Sequence, residues 1–159
     1  MTAMKTFYKK FKGWGDVGVS VTDRGVCKIE LQGPPHKRPT LTPHTLQVQK
    51  IFREIGKYLE GTHPLKLKMD LQTGTAFQRK VWTALLKIPF GEVRSYQWVA
   101  RHIKNPKAVR AVGGACGANP LSLLIPCHRV IASDGKIGGF SSGLNWKRKL
   151  ISFEKRCGA

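Results

Sequence analysis

The 159-residue chain is predicted to fold as a small α/β N-terminal lobe followed by a mainly α C-terminal lobe with a helix-turn-helix. Three observations point there. Apolar residues alternate with polar ones in short runs between Val17 and Leu71. From Thr73 the texture changes to short helical segments with capping residues. Two of those segments lie a tight turn apart.

Val17–Val21 and Val26–Leu31 read as strands joined by a turn at Thr22-Asp23-Arg24-Gly25. Gly33-Pro34-Pro35, Pro39 and Pro43 keep the following stretch irregular. Leu46, Ile51, Ile55, Tyr58 and Leu59 mark an amphipathic helix from Thr45 to Leu59 that ends at Gly61. Leu65, Leu67, Met69 and Leu71 alternate with Lys66, Lys68 and Asp70, which predicts a half-buried strand. Residues 1–71 form the first domain, and nothing in it resembles a reactive site. Residues 72–159 form the second. There Phe77, Val81, Leu85 and Leu86 predict a helix that stops near Pro89, before a turn at Phe90-Gly91. Ser95 is a natural N-cap for a helix from Tyr96 to Ile103. Asn105-Pro106 opens the next helix, which continues from Ala108 through Ala115. This is helix-turn-helix spacing, although αα-corners that never meet DNA share it.

Lys and Arg number 28 against 9 Asp and Glu, for a formal charge of +19. Residues 1–71 carry 13 basic and 6 acidic side chains, and residues 72–159 carry 15 and 3. An excess concentrated in the second domain is what a nucleic-acid footprint there requires. A merely solvated basic surface, or the Lys enrichment of thermophiles, are the alternatives. The 41% hydrophobic content indicates a folded globular chain. The N-terminus lacks a signal-peptide core, and no stretch approaches the roughly 18 apolar residues of a membrane span. Cys27, Cys116, Cys127 and Cys157 show no C-x-x-C pairing, so a reducing, intracellular compartment is expected: cytoplasmic, or nuclear in a eukaryote. The histidines do not fall at metal-ligand spacings around these cysteines, so no metal is expected.

One segment carries chemistry: Ile125-Pro126-Cys127-His128-Arg129-Val130. A free thiol has a pKa of about 8.5, so only a few per cent is nucleophilic thiolate at neutral pH, and a base beside it raises that fraction. Neighbouring side chains often point apart, so a structural Cys-His pair stays open. The stretch Ala111-Val112-Gly113-Gly114-Ala115 has almost no side chain, and each glycine costs a helix about 1 kcal/mol relative to alanine. Close helix packing would explain it. So would close approach to a ligand such as a DNA groove, with Arg110 projecting from the start of the smooth surface.

Together these motifs resemble the O6-alkylguanine-DNA alkyltransferase family of self-inactivating DNA repair proteins. The match comprises Pro126-Cys127-His128-Arg129-Val130, Arg110 through Ala115, Asn119-Pro120, Gly91-Glu92-Val93 with Ser95-Tyr96, and Gly138-Gly139-Phe140-Ser141 with Gly143-Leu144, spread from Phe77 to Glu154. The first lobe resembles the family only in strand and helix order, which the family builds as a ribonuclease-H-like domain. The resemblance implies single-turnover transfer of a methyl or small alkyl group from guanine O6 to Cys127, and leaves thymine O4 open as a second target. It implies His128 as general base through a water, and Glu154 as the group that orients it. It implies Tyr96 as donor to guanine ring nitrogen 3 and as a phosphate contact. Ser141 would direct its backbone N–H at the guanine oxygen, the carbonyls of Cys127 and Val130 would accept from the exocyclic amine, and Asn119 would fix the active-site turn. Lys147 aligns with a lysine near the pocket, with a solvated lysine as the alternative.

The target atom lies inside a duplex, so the nucleotide must be rotated out. The resemblance makes Arg110 the finger that fills the vacated space. It makes Gln78, Arg79, Gln97, Asn105 and Ser133 phosphate contacts. It implies a monomer acting on double-stranded DNA with alkylated guanine, no cofactor and no membrane. Gly117 stands where some relatives carry arginine, Ser122 where vertebrate relatives have a pocket-lining proline, and Phe140 where they have tyrosine. The zinc ligands of some relatives' first lobe are not evident. Two rival readings are a non-catalytic relative that flags lesions and a helix-turn-helix transcription factor. The flagging relatives carry tryptophan at the reactive position, and Cys127 speaks against them.

Overall fold

The alternating valines that mark the first strands build a three-stranded antiparallel sheet in the computed structural model, which describes residues 4–32, 45–62 and 64–158. Its strands are β1 (Lys5–Phe11), β2 (Gly15–Thr22) and β3 (Gly25–Gln32), in that spatial order. Phe7, Val19 and Ile29 stand opposite one another across the strands, as do Val17 and Leu31, and all five are buried. Helix α1 (Leu46–Leu59) starts at Thr45, whose Oγ1 accepts from Val48 N–H. It buries Val48, Ile51, Phe52, Ile55, Tyr58 and Leu59, and the Phe52 ring lies 6.3 Å from that of Phe11 of β1. The proline-rich stretch expected to be irregular lies outside the described residues.

Two expectations for this region change. β1 was not foreseen, because its lysines interrupt the apolar alternation. Charged side chains are what an edge strand uses to discourage further pairing. The strand predicted over residues 65–71 does not form; the segment is extended but pairs only at a single bridge from Met69 to Val26. Val26 N–H donates to Lys68 O and Asp70 N–H donates to Val26 O. The alternation then inverts: Met69 is 38% exposed, while Asp70 is buried and accepts from Thr22 Oγ1 at 2.6 Å and from Gln72 Nε2 at 2.7 Å. A buried carboxylate needs those donors.

The chain divides into two units, Met1–Gln72 and Thr73–Ala159. The second contains α2 (Ala76–Leu85), α3 (Tyr96–His102), α4 (Val109–Gly117) and α5 (Leu144–Cys157). A two-residue strand, β4 (Arg94–Ser95), pairs in parallel with β5 (Val130–Ile131). Thr75 and Gln78 close a capping box at the start of α2, and Ser95 Oγ accepts from Trp98 N–H at the start of α3. Asn105 and Pro106 do not open a helix as expected. Ala108 N–H donates to Asn105 O, closing a turn, and α4 begins only at Val109. Val81, Leu85, Val99, Val112, Leu121, Ile125 and Leu150 form the core of this unit. Among the described residues no helix is long and apolar enough to cross a membrane.

Trp82 ties α2 to α4: its indole N–H donates to Ala115 O at 2.8 Å in the core. Trp82→Phe keeps an aromatic ring but leaves that carbonyl buried without its donor. The variant is expected to lose about 1–3 kcal/mol in urea unfolding, and an unchanged midpoint and slope would contradict the assignment.

Candidate active site

After α4 the chain turns at Asn119, and the side chain of that residue organises the loop beyond it. Its Oδ1 accepts from Leu121 N–H at 2.9 Å, while its Nδ2 donates to Ile125 O at 2.8 Å and to Cys127 Sγ at 3.2 Å. Within this loop Leu123 holds a positive φ of 72°, strained for a branched side chain. The loop delivers Cys127, His128 and Arg129 in one 3₁₀ turn, which Val130 N–H closes by donating to Cys127 O.

Cys127 sits in the wall of a cleft of about 440 Å³, with Tyr96, Arg110, Gly113, Cys116, Phe140 and Ser141 also lining it. Burial pushes the Cys127 thiol up, against the Asn119 hydrogen bond and the nearby Lys147 cation, which favour the thiolate. Cys116 is pushed to about 12 by its own burial and then by Cys127. Lys147, left open as a solvated residue by its sequence context, is fully buried. Its Nζ donates to Gly139 O at 3.0 Å and to Tyr96 Oη at 3.4 Å, and burial draws its pKa down. Gly138 (φ 72°) leaves room for the tyrosine: a Cβ there would stand 2.7 Å from the phenol oxygen.

Behind the cysteine lies a buried ion cluster. His128 is wholly buried, and its Nε2 meets Glu154 Oε1 at 2.7 Å. Burial would raise the Glu154 pKa, but hydrogen bonds from His128 and Arg129 and the charge of Arg129 hold it far below the carboxylate range. An ionised carboxylate can only accept, so His128 Nε2 carries the proton and Nδ1 keeps the lone pair. Nδ1 is buried and has no hydrogen-bond partner among the described residues. Burial also lowers the His128 pKa, outweighing Glu154, so the imidazole is neutral. A neutral ring with one nitrogen anchored and the other free is a base waiting for a proton.

The structure brings Cys127, His128, Glu154, Asn119, Tyr96, Arg110 and Ser141 to this cleft and its support. Val130 is buried and begins β5. Gln78, Arg79, Gln97, Asn105 and Ser133 do not line the cleft. Gln78 and Arg79 sit at the α2 N-terminus, with Gln78 Oε1 accepting from Thr75 N–H and Arg79 Nε donating to Gly74 O. Gln97 Nε2 donates to Pro106 O, and Asn105 and Ser133 are exposed. Ser122 is buried outside the cleft lining, whereas Gly117 and Phe140 are part of it. Arg129 was missed as a functional residue. Its Nε and Nη2 donate to both oxygens of Glu154 at 2.7 and 2.9 Å, and its Nη1 donates to Ile88 O at 2.7 Å. The signal available was its place beside His128, which alone does not separate a buried clamp from a solvated arginine.

A family profile described as 6-O-methylguanine DNA methyltransferase, DNA binding domain, matches residues 76–156, half of the chain and all of this site. The chain belongs to the 6-O-methylguanine DNA methyltransferase family. A methylated-DNA–protein-cysteine methyltransferase of Methanosarcina barkeri is 45% identical over 146 residues, covering 89% of this chain and 91% of that one. A probable methylated-DNA–protein-cysteine methyltransferase of Acanthamoeba polyphaga mimivirus is 50% identical over 110 residues, 69% and 73% of the two chains. The crystal structure of Mycobacterium tuberculosis OGT in complex with DNA superposes with a TM-score of 0.82 at 34% identity, covering 96% of this chain and 93% of that one.

Within this methyltransferase site the Arg129 clamp has a measurable signature. Removing one partner of a buried ion pair strands the other, at about 3–5 kcal/mol. Arg129→Met should therefore lower stability by about 3 kcal/mol at neutral pH. The folded Glu154 pKa lies below its ordinary 4.5, so its contribution is full above that pH and fades as pH falls toward the folded value. The wild type thus loses stability on acidification and the variant loses less. Urea unfolding at neutral pH and at about pH 3 checks this: a gap that widens with acid would exclude the clamp.

Proposed function

We propose that the protein repairs DNA by direct reversal, moving a methyl or small alkyl group from guanine O6 to Cys127 Sγ once per molecule. The observation that carries this reading is a cysteine in the cleft wall whose sequence neighbour, a buried neutral histidine, is anchored through one nitrogen on Glu154. In the proposed reaction the thiol proton leaves to His128 Nδ1 through a bridging water. The sulfur then attacks the saturated alkyl carbon as the carbon–O6 bond breaks, and the bonding pair stays on guanine. Glu154 stabilises the imidazolium that forms. Tyr96 gives its phenol proton to guanine ring nitrogen 3, and the buried Lys147 ammonium at its oxygen supports the resulting phenolate. The Ser141 N–H stabilises charge on O6. The Cys127 and Val130 carbonyls accept from the exocyclic amine; the former already takes one hydrogen bond from Val130 N–H and has a lone pair left. Asn119 and Arg129 are positioning residues, the first for the sulfur and the second for the carboxylate.

The DNA-bound relative, 34% identical, supports DNA as the partner. We read α3 and α4 as a helix-turn-helix. Its second helix would lay its glycine face in the minor groove, with exposed Arg110 at its start filling the space of an everted nucleotide. Gln78, Arg79, Gln97, Asn105 and Ser133 would then meet phosphates. The order of the described elements β1, β2, β3 and α1 supports a ribonuclease-H-like first domain. The free state of all four cysteines fits a reducing compartment.

Incubation with duplex carrying labelled O6-methylguanine tests the transfer. Label should move to the wild-type protein and stay on DNA with Cys127→Ser; equal transfer by both would end the mechanism. Arg110→Ala should slow repair of duplex by about tenfold, since extrusion costs a few kcal/mol, while barely changing transfer from the free O6-alkylguanine base. An equal loss on both substrates would remove the finger from Arg110.

A further inference from the structure

The first unit has a groove of its own, of about 440 Å³, between the β2–β3 turn, the outer side of α1 and the extended segment after that helix. Its charged lining is Asp23, Arg24, Lys50, Glu54, Lys66 and Lys68. Two other lysines of this unit sit on acids: Lys28 on Glu30, and Lys57 on Glu54 at 3.0 Å. Arg24 lies 3.6 Å from Asp70. Lys50, Lys66 and Lys68 make no ion pair among the described residues and are exposed, as are the lysines of β1, but these three line one concavity. Like charges gathered around a concavity repel one another and focus a positive potential, which an anion relieves. Among the described residues no aromatic side chain lines the groove, so it offers no platform on which a base could stack. Lys66 and Lys68 are two residues apart on extended backbone, so they leave the same side about 6.6 Å apart. That is close to the separation of successive phosphates on one strand.

We propose that this groove binds the sugar–phosphate backbone of DNA without regard to sequence, giving the protein a second polyanion contact outside its cleft. The choice of DNA as the polyanion rests on the proposed repair function; the anion site itself rests on the groove.

Fluorescence anisotropy of the full chain with an unmodified duplex oligonucleotide, titrated over a range of salt, tests it. Each phosphate neutralised contributes about 0.9 to the log–log salt slope. The variant Lys50→Gln/Lys66→Gln/Lys68→Gln should therefore lose about 2.7 from the slope if each lysine meets a phosphate. A control, Lys5→Gln/Lys10→Gln/Lys12→Gln, removes the same charge from exposed positions in and beside β1 and should keep the wild-type slope. An unchanged slope in the groove variant, or the same loss in both, overturns the proposal. Both variants should transfer methyl from free O6-methylguanine at the wild-type rate. Failure of transfer in the wild type would count against the cleft chemistry alone.

Discussion

A carboxylate taken out of water is unfavourable by several kcal/mol unless donors replace the solvent, and the second unit is arranged around one such group. Glu154 comes from α5, its imidazole and guanidinium partners come from the 3₁₀ turn, and Gly91 N–H reaches it from the turn after α2 at 3.3 Å. Arg129 extends the arrangement by capturing the Ile88 carbonyl. Three stretches distant in sequence are thereby held to one charge. The position of Cys127 is a consequence, because it begins the turn that His128 and Arg129 pin down. Asn119 holds the same turn from the other side, through the loop carbonyl and the sulfur.

The glycines of α4 are explained by what is missing around them. A Cβ at Gly113, Gly114 or Gly117 would meet nothing within 4 Å, so close helix packing is not their reason. Their helix cost is not offset by contacts within the fold. What it yields is a smooth wall beside the cleft, open to the approach of another molecule. Gly138 is the opposite case, since its missing side chain is filled from within by the Tyr96 phenol.

The parts of the fold legible in the sequence were those set by local chemistry. Thr45 and Ser95 cap the helices expected after them, and the valine alternation of residues 17–31 became β2 and β3. What escaped depended on contacts between distant residues. A strand with lysine at Lys5, Lys9 and Lys10 shows its periodicity only once a neighbouring strand covers one face. The alternation of residues 65–71 looked like a strand because no local signal says that Asp70, not Met69, will turn inward. In the site, the residue types and their order were readable from the Pro126–Val130 segment and its companion motifs. The clamp of Arg129 was not, because it exists only when α5 returns to place Glu154 against it. Nor was the burial of Lys147, which α5 turns inward beside Trp146.

The raised thiol pKa of Cys127 bears on economy of use. A reagent consumed by a single event is wasted whenever it reacts with the wrong electrophile. A sulfur kept protonated and 4% exposed offers little to small alkylating agents or oxidants adrift in solution. On the proposed mechanism the thiol would give up its proton only with a target in the cleft, and each copy would wait intact until then.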